Sequence, residues 1–346
     1  MSRRITLADV ARAASVSKTT ASMALNGKGM GKIPASTRQR VQSAADALQF
    51  RPHGVARALA RRRADAIGVV CTLNPFVELA HHAFEQALLS ALFYHALECG
   101  YNPMIYGAPP VEAGEDLLAR YADGRCDGFV LLYPEPDSTL LRRLTQAGIP
   151  VVAICRPVEE ASWVDSDHAG GIRLALNHLI ESGHRRIGYL IDPGVDRDSH
   201  VRVLAFRRAF QDCKLPLRED WIVAAETGEA FFEEKLTRLF ASLEAPTALV
   251  TWNDSTAFEV YRVLRKLGLR IPEDVSIIGF DDIAAARTLV PALTTVRQDV
   301  VRMARMAVDI VVSALSENAT LTQTSVVCPV ELIVRQSTAP PAVSPC

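Results

Sequence analysis

Residues 6–26, TLADVARAASVSKTTASMALN, decide how the rest of the chain is read. Thr6 is a good N-cap, and Asp9 three residues on completes a capping-box pattern with an acid in the first turn. Leu7, Val10, Ala11 and Ala14 fall at helical spacing on one face. Ala14-Ser15-Val16 breaks the pattern. Ser17 caps a second helix whose inner face is Ala21, Ala24 and Leu25, and Asn26-Gly27 ends it, because both residues tolerate a left-handed backbone. Two helices this short are unstable alone and must pack on a third. The outer face of the second carries Lys18, Thr19, Ser22, Met23 and Asn26. These are donors, hydroxyls and one flexible apolar group, with no acid, which suits phosphates and base edges.

An ordinary exposed helical hairpin would explain two capped helices equally well, and charge separates the readings. Residues 1–63 hold 13 Lys and Arg against two acids, Asp9 and Asp46, which is +11. The whole chain is −1, so residues 64–346 carry −12. A basic head on an acidic body is the footprint of polyanion binding by one part only. On these residues the chain resembles the lactose-repressor and galactose-repressor (LacI/GalR) family of bacterial transcription regulators. The match continues through STRQRVQSAADALQFRP into IGVV and covers essentially the whole chain.

The chain is long enough for more than one core. No run of about eighteen apolar residues exists, so no membrane span is expected. MSRR could open a twin-arginine export signal, but Asp9 and Arg12 interrupt its apolar segment, and a cytoplasmic protein is expected. Seven scattered cysteines without a CxxC read as buried free thiols, not as disulfides or a zinc site. The loop GKGMGKIP is about two residues longer than the resemblance implies. Pro34 stands where a hydroxyl residue is usual, which puts one phosphate contact in doubt. A third helix is predicted from about Ala35 to Gln49. In the linker RPHGVARALARRR, Val55, Ala56 and Leu59 share a helical face. The resemblance implies a hinge helix there that enters the minor groove, with Leu59 as a wedge between base pairs.

From Ala66 apolar strands alternate with helices, which predicts parallel sheets covered on both faces. The fold expected is a small all-α helix-turn-helix head (1–50), a hinge (51–65) and an α/β body (66–346). The body is expected as two doubly wound parallel-sheet lobes of periplasmic-binding-protein type. The first spans about 66–165 and 293–326, the second about 166–292 and 327–338, with crossings near 165, 292 and 326.

A ligand belongs at the carboxyl ends of such strands. Polar groups fall there at Cys155-Arg156, Trp252-Asn253-Asp254, Asp281-Asp282 and Arg297-Gln298, and the helix after a fifth strand opens with Asp198, Ser199 and Arg202. Trp252 or Phe76 could cover a sugar ring. Several of these have a structural alternative: Asp254 and Asp282 as caps, Arg202 as a buried pair partner. The resemblance assigns effector contacts to Arg202, the pair Asn253-Asp254, Asp281 and Gln298, and a first cleft loop around Thr72 and Phe76. It usually has Asp where this chain has Cys155, and Arg156 leaves room for a sugar acid or phosphate.

No GxSxG, P-loop, HExxH or GxGxxG after a strand is present, and no enzyme, cofactor or metal is expected. His81, His82 and His184 read as helix-surface residues. The function expected is a homodimeric repressor of a palindromic operator, switched by a small polar ligand. Lys18, Thr19 and Met23 are its base readers, and Ser17, Thr20, Ser22, Asn26 and Thr37 its phosphate contacts. A dimer is expected because STAPPAVSPC is a Pro-rich tail and not a further helix. Two rivals are a cytoplasmic carbohydrate-binding protein or enzyme with an accessory basic head, and an architectural DNA protein.

Overall fold

The cap at Thr6 opens the first helix, α1 (Leu7–Ala13), in a computed structural model. The structure describes residues 5–25, 32–51, 58, 63–71, 83–107, 117–135, 138–191, 197–224, 229–316 and 322–342, without side chains at 197–200 and 229–231. The Asp9 carboxylate accepts from the Thr6 backbone N–H at 2.9 Å and from its hydroxyl at 2.7 Å. Ser15 turns the chain with a left-handed φ of 53°, and the Ser17 hydroxyl accepts from the Thr20 N–H at 3.0 Å to start α2 (Lys18–Leu25). Helix α3 (Ala35–Ala47) follows, and Arg40 Nε donates to the Ala14 carbonyl at 2.9 Å, satisfying an orphan acceptor at the end of α1. Val10 and Val41 are fully buried among Ala11, Ala14, Ala21 and Ala45. A core made mostly of alanine lets three short helices approach closely, but buries little apolar area. Each valine contributes about 1.5–3 kcal/mol.

Residues Met1–Ala64 and Asp65–Cys346 form separate compact units. The second holds two six-stranded sheets. In the first lobe the strands are β1 (Ala66–Cys71), β2 (Asn102–Gly107), β3 (Gly128–Leu132), β4 (Val151–Ile154), β5 (Ser162–Ser166) and β11 (Ser325–Cys328), ordered β11-β5-β4-β3-β1-β2. In the second lobe they are β6 (Ile187–Ile191), β7 (Ile222–Ala224), β8 (Ala248–Thr251), β9 (Ser276–Asp281), β10 (Thr294–Gln298) and β12 (Val330–Ile333), ordered β12-β10-β9-β8-β6-β7. All pairings are parallel except β10 with β12. The central strands are apolar and buried along their length because helices cover both faces. The first lobe carries α4 (Ala83–Glu98), α5 (Leu117–Tyr121), α6 (Thr139–Gln146) and α11 (Val300–Ala314), and the second α7 (His168–Glu181), α8 (Arg197–Asp212), α9 (Glu229–Phe240) and α10 (Asp254–Lys266). Among the described residues no helix is long and apolar enough to cross a membrane.

Three details differ from the sequence reading. Strand β10 pairs with β9 and β12, so it belongs to the second sheet. The chain therefore returns to the first lobe after Gln298, at α11, and not near residue 292. His184 is buried, not on a helix surface. Its Nδ1 pairs with the Thr247 hydroxyl and its Nε2 with the Ala339 carbonyl, both at 2.8 Å, and burial pushes its pKa down. Of the described cysteines, Cys71, Cys126, Cys155 and Cys328 are buried, but Cys213 is exposed and Cys99 half-buried.

Candidate functional site

Arg202 of α8, Trp252 and Asn253 after β8, Asp281 at the end of β9 and Gln298 at the end of β10 line one cavity. Glu85 of α4 and Tyr133, just past β3, line it from the first lobe. The cavity lies between the two sheets at the carboxyl ends of their strands, as the doubly wound plan requires. A larger groove on the first lobe, bordered by Pro150, Ser162 and Thr324, lies at the opposite ends of β4, β5 and β11.

The Arg202 guanidinium is buried and stacks on the Phe280 ring, 3.8 Å from its centroid. Its NH1 donates to the Trp252 carbonyl, and its Nε donates to His168 Nδ1 at 3.2 Å. That assigns the His168 proton to Nε2, which donates to Asp165 Oδ1 at 3.1 Å. Asp165 Oδ1 also accepts from the Ser166 N–H at 2.8 Å. A buried chain Asp165–His168–Arg202 thus runs along the β5-to-α7 crossover and holds the arginine in one orientation.

Asp281 has a φ of 114° and accepts from Gln298 Nε2 at 2.8 Å. Burial raises its pKa well above the usual carboxylate range. Arg202 opposes the rise, the charges of Asp254 and Glu85 add to it, and the Gln298 bond opposes it. Among the described residues the cavity holds one cation, Arg202, beside a carboxyl group that resists ionisation.

Two neighbouring residues also bond within the fold. Asn253 Oδ1 accepts from the Thr256 N–H at 2.8 Å and so caps α10. Asp254 is fully buried, accepting from the Thr295 hydroxyl at 2.5 Å and the Ile283 N–H at 2.9 Å. It sits over Gly279, where a Cβ would stand 2.1 Å from Asp254 Oδ1. Burial pushes the Asp254 pKa up to about 7. Burial works the same way on Asp282, but Arg335 and Arg297 outweigh it and hold that carboxylate below its usual range. Arg297 Nε donates to it at 2.8 Å and Arg335 NH2 at 2.5 Å.

Cys155 and Arg156 do not line this cavity. Cys155 has a left-handed φ of 64° and packs in the first-lobe core. Arg156 is buried, donating to the Pro134 carbonyl at 3.2 Å and pairing with Glu135 at 3.5 Å. Thr72 and Phe76 lie outside the described residues, as do Asn26, Val55, Ala56 and Leu59, and Asp198 has only its backbone in the first turn of α8. On the head, Ser17, Lys18 and Thr19 are exposed, while Thr20, Ser22, Met23 and Thr37 are half-buried.

Sequence reasoning missed Glu85, Tyr133 and His168. Tyr133 directly follows β3, and the strand-end rule applied to DGFVLLY would have found it. The Tyr133 hydroxyl donates to Glu85 Oε1 at 3.4 Å. Glu85 lies inside a helix and His168 begins one, so neither carries a local signal.

Two family models match: "Bacterial regulatory proteins, lacI family" over residues 6–53 and "Periplasmic binding protein-like domain" over residues 176–338. The HTH-type transcriptional repressor PurR of Haemophilus influenzae (strain PittEE) is 31% identical over 317 residues, 90% of this chain and 91% of that protein. The HTH-type transcriptional regulator GalR of Escherichia coli (strain K12) is 30% identical over 343 residues, 97% and 96%. A solved complex of the transcriptional regulator CelR with cellobiose is 28% identical, covering 96% of this chain and all (100%) of that one at a TM-score of 0.70. The lac repressor dimer bound to operator and the anti-inducer ONPF shares the fold at a TM-score of 0.81 and 23% identity, covering 97% and 100%.

Proposed function

This chain belongs to the lacI family of bacterial regulatory proteins and is a sequence-specific DNA-binding transcription regulator, and from that premise we propose a homodimeric repressor released or tightened by a neutral sugar in the interlobe cavity. Two heads related by a two-fold axis require a palindromic operator. Lys18, Thr19 and Met23 read bases. Ser17, Thr20, Ser22, Asn26 and Thr37 hold phosphates, and Val55, Ala56 and Leu59 enter the minor groove. The exposure of Lys18 and Thr19 on a capped helix supports this, together with the +11 charge of residues 1–63.

One observation carries the effector reading: Arg202, Trp252, Asn253, Asp281 and Gln298, from four separate elements, converge on one cavity. A guanidinium, two amides, a carboxyl and an indole offer paired donors and acceptors to vicinal hydroxyls, plus a flat apolar surface. Glu85 lines the same cavity as Arg202, and its carboxylate disfavours a free anion there. Arg156, the other candidate for an acidic ligand, is engaged with Pro134 and Glu135. The cellobiose in the CelR complex is in keeping with this ligand class.

The DNA half of the proposal is tested by selecting a site from random palindromes and measuring its affinity against salt. A steep fall with salt and a strong preference for the selected palindrome over random DNA are expected. Lys18→Ala relaxes specificity by about 1–3 kcal/mol at one base pair. Equal weakening on every sequence would make Lys18 a phosphate contact instead. Adding the sugar then gives the sign of the response, and full switching needs a coupling of about 5.5 kcal/mol.

A further inference from the structure

His95 lies in the last turn of α4 and Cys99 directly follows that helix; the Cys99 N–H still donates to the His95 carbonyl at 3.0 Å, so the two side chains share a face. Asp309 reaches them from α11, which packs against α4 in the first lobe. Three ligand atoms, one each of nitrogen, sulfur and oxygen, lie within 4.8 Å of one another. His95 Nε2 stands 3.7 Å from Cys99 Sγ and 2.9 Å from Asp309 Oδ1. The other ring nitrogen, Nδ1, meets Glu98 Oε2 at 3.0 Å.

We propose that His95 Nε2, Cys99 Sγ and Asp309 Oδ1 bind a divalent zinc-type ion, with Glu98 orienting the imidazole and water completing the shell. The arrangement is that of a metal-ligating histidine whose outer nitrogen donates to a carboxylate, which fixes the tautomer and aims the inner nitrogen. Bond lengths of about 2.0–2.1 Å to nitrogen and about 2.3 Å to sulfur place tetrahedral ligands about 3.5 Å apart. The nitrogen–sulfur gap of 3.7 Å already matches that spacing. The nitrogen–oxygen gap must open from 2.9 Å to about 3.3 Å. Asp309 can move that far, since its side chain is 49% exposed. It also borders the groove on the first lobe, which gives the ion a path from solvent. A mixed nitrogen, sulfur and oxygen set suits zinc or cobalt over magnesium or calcium, which prefer all-oxygen shells. Binding displaces the Cys99 thiol proton to solvent. The ion would clamp α4 to α11 without touching the interlobe cavity.

The test uses the full chain, stripped with a chelator and titrated with Co(II). The expected result is one equivalent bound, with an intense near-ultraviolet sulfur-to-cobalt absorption that Zn(II) abolishes. Cys99→Ser and His95→Gln lose the band, Cys213→Ser keeps it, and Glu98→Gln binds about 10- to 100-fold more weakly. Zn(II) should also raise the Tm of the unsubstituted protein, which keeps the proposal testable if a variant folds poorly. No cobalt band, a band that survives Cys99→Ser, or a Tm indifferent to Zn(II) would overturn it.

Discussion

The two lobes are built on the same six-stranded plan, yet their strand ends do different things. At the end of β4 in the first lobe, Cys155 and Arg156 turn into their own domain. The thiol joins the core, and the guanidinium bonds Pro134 and Glu135. In the second lobe the ends of β8, β9 and β10 aim Trp252, Asp281 and Gln298 at the cavity. Topology fixes where a ligand can sit, but the local backbone decides which polar groups face it. Left-handed φ angles at Tyr133, Cys155 and Asp281 re-aim each side chain at its strand end, and the outcome differs each time. Under the proposed reading the second lobe supplies the recognising groups, and the first a cover through Glu85 and Tyr133, which line the same cavity.

Replacing the two buried arginines sharpens this contrast most. Arg202→Ala leaves His168 Nδ1 and the Trp252 carbonyl without their donor and Asp281 without its cation. Breaking a buried charged network costs about 3–5 kcal/mol, read by chemical denaturation, and ligand response should vanish with it. Arg156→Ala should also destabilise the protein, through Pro134 and Glu135, yet leave ligand affinity within about threefold, less than the tenfold that 1.4 kcal/mol represents. Equal loss of ligand affinity in both variants would erase the distinction between the lobes.

A second test concerns acidity. Asp254 has its pKa raised to about 7 by burial, against about 3.9 in the unfolded chain. Between those values the folded state binds the extra proton, so stability falls as pH rises through that window. The slope approaches about 1.4 kcal/mol per pH unit, and Asp254→Asn should flatten it in denaturation curves taken from pH 4 to 8. An unchanged slope would show that Asp254 is ionised throughout.

Asp281→Asn carries the smallest expected effect. An amide imitates the protonated acid, so ligand affinity measured by calorimetry near neutral pH should change by less than about 1 kcal/mol. A loss of 2 kcal/mol or more, about thirtyfold, would mean that the ligand requires the carboxylate.

The head was legible because its signals are local. Thr6, Asp9 and Ser17 cap helices within three residues of themselves, and the alanine spacing gives the packing face. The two-sheet plan was legible from apolar runs bounded by polar strand ends. What escaped depends on distant partners. TTVRQ reads the same in either sheet, and only its pairing with Ser276–Asp281 and Val330–Ile333 places it in the second. His184 follows a helix and reads as exposed, but its partner Ala339 is 155 residues away. Cys155 and Arg156 were correctly placed at a strand end, whereas the direction in which a left-handed residue swings its neighbour is not written in composition or spacing.

The most direct test of the account is a thermal-shift panel of neutral sugars, sugar acids and sugar phosphates on the unsubstituted protein and on Gln298→Ala, a milder change than removing Arg202. The account predicts that a neutral sugar stabilises the unsubstituted protein, by about 2.7 kcal/mol at a hundredfold excess over Kd. Gln298→Ala should need a markedly higher concentration for the same shift. A stabilising ligand found only among the acids and phosphates, or one that Gln298→Ala binds unchanged, would contradict it.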